Sequence, residues 1–186
     1  EGCPYRYVNC KVGEDFVPAS WGADALLVEK EGVFVGYGIT APELNYDDYE
    51  GLDIRDKIVI MLTKVPDDEQ NSFRKVSRTD YGDPIRKSIW ASHKGAAGVI
   101  RILSPGEKLP SSTMCDFNQA ESHLAIQLEL LKIPVITLTF AAGQQLLSKC
   151  FEPHIQRQDL SQIIKVINKE LRPQTFQLEA EFRLTT

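Results

Sequence analysis

Histidine, cysteine and methionine are scarce: three His, four Cys and two Met in 186 residues. Cys3, Cys10, Cys115 and Cys150 contain no Cys-x-x-C pair, which excludes a zinc ribbon. His93, His123 and His154 stand apart, with no His-x-x-His, His-Glu-x-x-His or His-x-Asp pattern, so they give no case for a zinc site. A Gly-x-Ser-x-Gly elbow and a phosphate-binding glycine loop are missing too. The chain has no long basic run, and its 21 Lys+Arg against 26 Asp+Glu leave a net charge of −5, the wrong electrostatic footprint for nucleic acid. Nowhere do the roughly 18 continuous apolar residues of a membrane span occur. The first residues lack the charged-then-apolar pattern of a signal peptide, and no Met begins the chain, as expected of a processed chain or an excised piece. Internal repeats and low-complexity tracts are absent as well.

What remains is ordinary for a globular protein: 42% hydrophobic and 25% charged residues, over a length that suits one domain with a real core. Residues 32–62 organise it. Two runs there, Val33-Phe34-Val35 and Ile58-Val59-Ile60-Met61-Leu62, are rich in the β-branched and aromatic residues of strands. Between them, Gly36, Gly38, Pro42 and Gly51 with an acidic, tyrosine-bearing segment predict an exposed loop. Residues 25–29 and 32–37, around Lys30-Glu31, are spaced as a hairpin. Asp83-Pro84 predicts a helix start and Gly95 its end, with a short return into a strand at residues 99–103. Residues 124–130 alternate as a strand, and residues 133–138 form a buried one. Thr139 caps a helix to Leu147; a second helix spans residues 160–172, and residues 176–184 alternate cleanly as a strand. The α/β class follows, as a mixed β-sandwich or partly closed barrel with flanking helices.

Three segments, FVGYGITAPELNYDDYEGLDIRDKIVIML, then HKGAAGVI, then IPVITLTFAAGQQLL, occur in an order that resembles the protease-associated domain of zinc-dependent aminopeptidases. The resemblance covers residues 25–147 and implies the swivelling β/β/α fold. It divides the chain into an irregular arm (1–24), the protease-associated domain (25–158), and a helix and strand (159–186) that lead toward a catalytic domain outside this chain. It implies no enzyme in the chain itself: a non-catalytic accessory domain of a secreted, periplasmic or cell-envelope zinc aminopeptidase, bordering the active-site cleft and influencing peptide access. The zinc ions would belong to the catalytic domain, whose ligands have no counterparts here. Its partners would be that domain, in the same polypeptide, and peptide substrates. The alternative is an independent peptide- or cargo-binding module of a sorting receptor, which uses the same fold.

Candidate chemistry is thin. Asp47 and Asp48 could act as paired carboxylates, but adjacent aspartates more often build a turn or cap, and the family's matching segment is a structural connection. His93 belongs to a helix end, where it complements the dipole. A disulfide in an exported protein would use Cys3–Cys10; four unpaired thiols, with Cys115 and Cys150 buried, is the other reading. Loops 36–49, 66–83 and 104–119 are the candidate rim for contacts, with Tyr37, Tyr46 and Tyr49 as amphipathic contact residues for a peptide or a neighbouring domain.

Overall fold

The run Ile58-Val59-Ile60-Met61-Leu62 offers no polar side chain to solvent, which suits a strand covered on both faces. The computed structural model describes residues 8–19, 21–23, 26–67, 73, 81–110, 131–150, 160–170 and 175–185. In chain order its elements are β1 (Phe16–Pro18), β2 (Leu26–Val35), β3 (Thr40–Ala41), a single 3-10 turn (Pro42–Leu44), β4 (Tyr46–Asp47), β5 (Ile58–Leu62), α1 (Pro84–His93), β6 (Gly98–Ile102), β7 (Val135–Leu138), α2 (Phe140–Cys150), α3 (Leu160–Glu170) and β8 (Thr175–Thr185). Six strands form one open mixed sheet in the order β1-β7-β6-β5-β2-β8, and β3 and β4 make a separate two-stranded ribbon. The four inner strands, β7, β6, β5 and β2, run parallel, while β1 and β8 lie antiparallel on the two edges. The α/β class is thus the observed one, with an open six-stranded sheet among the described residues where the expectation offered a β-sandwich or a partly closed barrel.

Alternation along the inner strands divides the core into two layers. Phe34, Ile58, Ile60, Leu62, Ile100, Ile102, Ile136 and Leu138 face one way, and Leu147 of α2 and Leu160 and Ile163 of α3 cover them. Val33, Val35, Val59, Met61, Val99 and Val135 face the other way, beneath Ile89 and Ala91 of α1. The α2 layer packs closely: a Cβ on Gly143 would come 2.3 Å from Ile102 Cγ2. Helix α1 starts and stops where the sequence says. Asp83 Oδ1 accepts from the N–H groups of Ile85 (2.7 Å) and Arg86 (3.2 Å), Pro84 opens the first turn, and Gly95 takes φ +91° just beyond the end. Thr139 Oγ1 likewise accepts from the Ala142 N–H at 3.2 Å, at the start of α2.

One expectation is corrected. Leu26–Val35 do not fold back as a hairpin; they run through as the single strand β2, ten residues long. Lys30-Glu31 contains no residue that favours positive φ, and the irregularity it marks is a pair of register shifts against β8, between Leu27 and Lys30 and between Glu31 and Gly32. The tail also has a place in this sheet: β8 pairs along β2 from Leu26↔Thr185 to Val35↔Thr175, and α3 contributes to the core. The strand expected at residues 124–130, most of the loop at 66–83, and residues 111–119 lie outside the described residues. So do Cys3 and Cys115, and with them the Cys3–Cys10 pairing; Cys10 itself packs half-buried against the core.

Candidate functional site at the carboxyl ends of the parallel strands

Open α/β sheets bind ligands at the carboxyl ends of their parallel strands. Here the chain leaves β2, β5 and β6 at that edge, and each exit is tied down by one charged side chain.

The exit from β2 is Gly36-Tyr37-Gly38, with φ of +62° and +68° at the glycines. A Cβ on Gly38 would come 3.0 Å from Met61 Sδ and 3.1 Å from the Tyr49 hydroxyl, so the position suits glycine on both counts. The turn leaves N–H groups pointing inward, and Asp48 receives them. Its Oδ2 accepts from Tyr37 N at 3.1 Å and Ile39 N at 3.0 Å, and its side chain is 0% exposed. Asp47 acts on its immediate neighbours, where its Oδ1 accepts from Thr40 Oγ1 and from Tyr49 N, both at 2.9 Å. The paired carboxylates of the sequence thus hold backbone, as the structural reading of that segment expects.

The exit from β5 is tied by Lys87 of α1, which is 2% exposed. Its Nζ donates to Leu62 O at 3.3 Å and to Lys64 O, and lies 5.7 Å from the centroid of the Tyr37 ring. Lys64 itself has φ +62°, an unusual conformation for a residue with a Cβ. The exit from β6 is tied by Glu107. Its Oε2 accepts from Thr63 Oγ1 at 2.5 Å and from Ser104 N at 2.7 Å, while Oε1 lies 3.5 Å from Lys64 Nζ.

Burial sets the electrostatics. It pushes the Asp48 carboxyl up, to about 7, against the lowering effect of hydrogen bonds and of the Lys87 charge. It pulls the Lys87 ammonium down, to about 7, against the attraction of Asp48. The pair is therefore poised near neutrality, and each member depends on the other. Glu107 differs: burial raises it, but hydrogen bonds from Thr63 and Ser104 and the Lys64 charge leave it below the usual range. The Tyr46 hydroxyl is raised by burial first and then by the charge of Asp48 beside it. Among the described residues, the Tyr46 hydroxyl and Asp48 Oδ1 are buried without a hydrogen-bond partner.

The three tyrosines expected as contacts for a peptide or a neighbouring domain lie in this chain's own core. Tyr37, Tyr46 and Tyr49 are 3%, 2% and 5% exposed. Tyr46 packs edge-on against Phe73 at 5.2 Å, and the Tyr49 hydroxyl donates to Gly38 O at 3.4 Å. A tyrosine so placed meets no partner unless its loop opens. Tyr49 borders a recess, about 310 Å³, shared with Leu52, Asp53, Ile54, Arg55 and Lys94, whose Nζ lies 4.9 Å over the ring. His93 is in the last turn of α1, as expected. Lys87 and Glu107 went unnoticed in the sequence. The one available signal for Lys87 was its place between Pro84 and Ala91 on a helix whose other buried positions are small or apolar.

No family model matches the chain, and no curated protein matches it. Among solved structures, an aminopeptidase from Aneurinibacillus sp. strain AM-1 is similar, at 17% identity and a TM-score of 0.44. The similarity covers 73% of this chain and 24% of that one, so the chain spans about a quarter of that protein's length. Among the described residues no three His, Cys, Asp or Glu side chains come together to hold a metal. No described helix is long and apolar enough to cross a membrane.

Proposed function

We propose that this chain is a non-catalytic accessory domain of a secreted or cell-envelope zinc aminopeptidase. It borders the active-site cleft of a catalytic domain in the same polypeptide and restricts which peptides enter. The observation that carries the reading is the role of Asp48: a fully buried carboxylate spent on the N–H groups of Tyr37 and Ile39. The acidic segment of the resembling motif then serves as a brace for a loop, as in a scaffold that presents a rim. Lys87 and Glu107 brace the neighbouring exits in the same manner, so three loops leave one edge of the sheet from fixed points. A rim of this kind selects by shape and access, without a nucleophile of its own.

The test is aminopeptidase activity on amino-acid anilides and on peptides of increasing length. The chain alone is compared with the chain joined to its catalytic domain, each with and without a zinc chelator. The expected result is chelator-sensitive activity in the joined protein only, with replacement of residues 108–110 changing KM for the longer peptides and leaving anilide turnover as it was. Activity in the chain alone, or joined activity indifferent to the chelator, overturns the proposal.

A further inference from the structure

Arg101 is out of place for its chemistry. It lies near the end of β6, an inner strand, on the face of the sheet covered by α1, with Met61 of β5 and Thr137 of β7 as register partners. Met61 and Thr137 are buried, as is Val99 on the same strand and face. Arg101 itself is half-buried, and a charged side chain is uncommon in such surroundings unless it has a partner. Yet among the described residues no acceptor is within hydrogen-bond or ion-pair reach of its guanidinium. The carboxylates near enough to act on it, Glu107 and Asp83, are both committed: Glu107 to Thr63, Ser104 and Lys64, and Asp83 to the first turn of α1. Lys87, the neighbouring cation, is bonded to main-chain carbonyls. Burial draws the Arg101 pKa down to about 10, against the pull of Glu107 and Asp83.

The side chain is nonetheless held in one direction. Its Cζ lies 5.8 Å from the centre of the Trp21 ring, and Trp21 belongs to a turn fastened to β7. Ala19 N donates to Val135 O at 2.8 Å, Gly22 N to Ala19 O at 3.0 Å, and Ala23 N to Ile133 O at 3.1 Å. A Cβ on Gly22 would come 2.9 Å from Val135 N, so the turn is pressed against the strand, and the Trp21 side chain packs partly buried against the core there. A guanidinium supported on a fixed aromatic ring keeps its fork of N–H donors aligned at little entropic cost.

The geometry points to Arg101, backed by Trp21, as a binding residue for a peptide carboxylate, either an acidic side chain or a C-terminal group. Two oxygens in one plane match the fork. A singly charged, planar group suits the surroundings better than a phosphate does, because a dianion would face the fixed charges of Glu107 and Asp83. The inference goes beyond the accessory-domain reading and does not depend on it, since it concerns binding by this chain alone.

The test uses the full chain, isotope-labelled, and follows the Arg101 Nε–H and Trp21 indole N–H signals by NMR. Three probes are titrated: N-acetyl-glutamate α-amide, N-acetyl-alanine, and N-acetyl-glutamine α-amide as the neutral control. Saturable shifts with one or both acids and none with the control are expected, and whichever acid binds tighter tells a side-chain carboxylate from a C-terminal one. Arg101→Lys keeps the charge and loses the fork, and should weaken binding by about tenfold. Arg101→Gln should abolish it, with amide signals elsewhere unchanged. Equal shifts with the neutral control, or undiminished affinity in Arg101→Lys, overturn the proposal. Shifts that bypass Arg101 and Trp21 in the unaltered protein overturn it as well, whether or not the variants fold.

Discussion

Replacing Asp48 with alanine strips two buried donors, the N–H groups of Tyr37 and Ile39, of the acceptor they share. Leaving a buried donor unpaired costs about 1–3 kcal/mol, so Asp48→Ala should lose about 2–6 kcal/mol for the two, a large part of the roughly 5–15 kcal/mol of a typical domain. Asp48→Asn keeps an acceptor and removes only the charge, which separates the brace from the titration. The folded-state pKa is raised to about 7 by burial, above an unfolded value of about 3.9. Over that window the folded protein holds a proton that the unfolded chain has released. The contribution of Asp48 is therefore full below about pH 4 and is lost as the pH climbs toward about 7. Urea unfolding of both proteins between about pH 4.5 and about pH 6 should show the advantage of the unaltered protein over Asp48→Asn shrinking, by at most about 1.4 kcal/mol per pH unit. An advantage that stays constant, or grows with pH, would mean that the carboxyl is not held protonated by burial and would refute the reasoning.

Two further substitutions probe the same architecture. Lys87→Met should flatten the alkaline side of the stability profile. Burial depresses the Lys87 pKa to about 7, so its contribution is full above about pH 10.4 and is lost as the pH falls toward about 7. The unaltered protein should therefore gain on the variant between about pH 7.5 and about pH 10 in urea titrations, and parallel curves would count against a neutral folded-state lysine. Gly143→Ala places a methyl 2.3 Å and 2.8 Å from Cγ2 and Cγ1 of Ile102, a stiff β-branched side chain. The overpacking, about 1–3 kcal/mol, should outweigh the roughly 1 kcal/mol of better helix propensity, so calorimetry should show a lower Tm; a higher one would show that α2 shifts freely.

The parts of the fold that could be read from the sequence are those whose signals are local. Asp83-Pro84 and Gly95 bracket α1 because capping and positive φ are satisfied by neighbours along the chain. The apolar run of β5, and those of β6 and β7 apart from Arg101 and Thr137, are legible because a doubly covered strand has little face to make polar. The continuous β2 was misread because Lys30-Glu31 resembles a break, and only the partners on either side show that the strand continues. The site was less legible for the same reason. Adjacent aspartates read as a turn or cap, and nothing local says that Asp48 fills the hollow left by Gly36-Tyr37-Gly38. Tyrosines in an acidic loop suggested contacts, whereas their rings were needed to close the core around that hollow. Lys87 and Arg101 take their meaning from residues far along the chain, which composition and periodicity do not convey.

The pairing of β8 along β2 joins the first long strand of the chain to its last. During synthesis β2 emerges early and can pair with β5 soon after, but its other edge stays open until residues 175–185 have left the ribosome. A ten-residue strand with an uncovered row of N–H and C=O groups is a template for any other extended chain, including a second nascent copy. The irregular register between Leu27 and Gly32 works against that capture, because a bulged edge accepts a foreign strand less readily than a flat one.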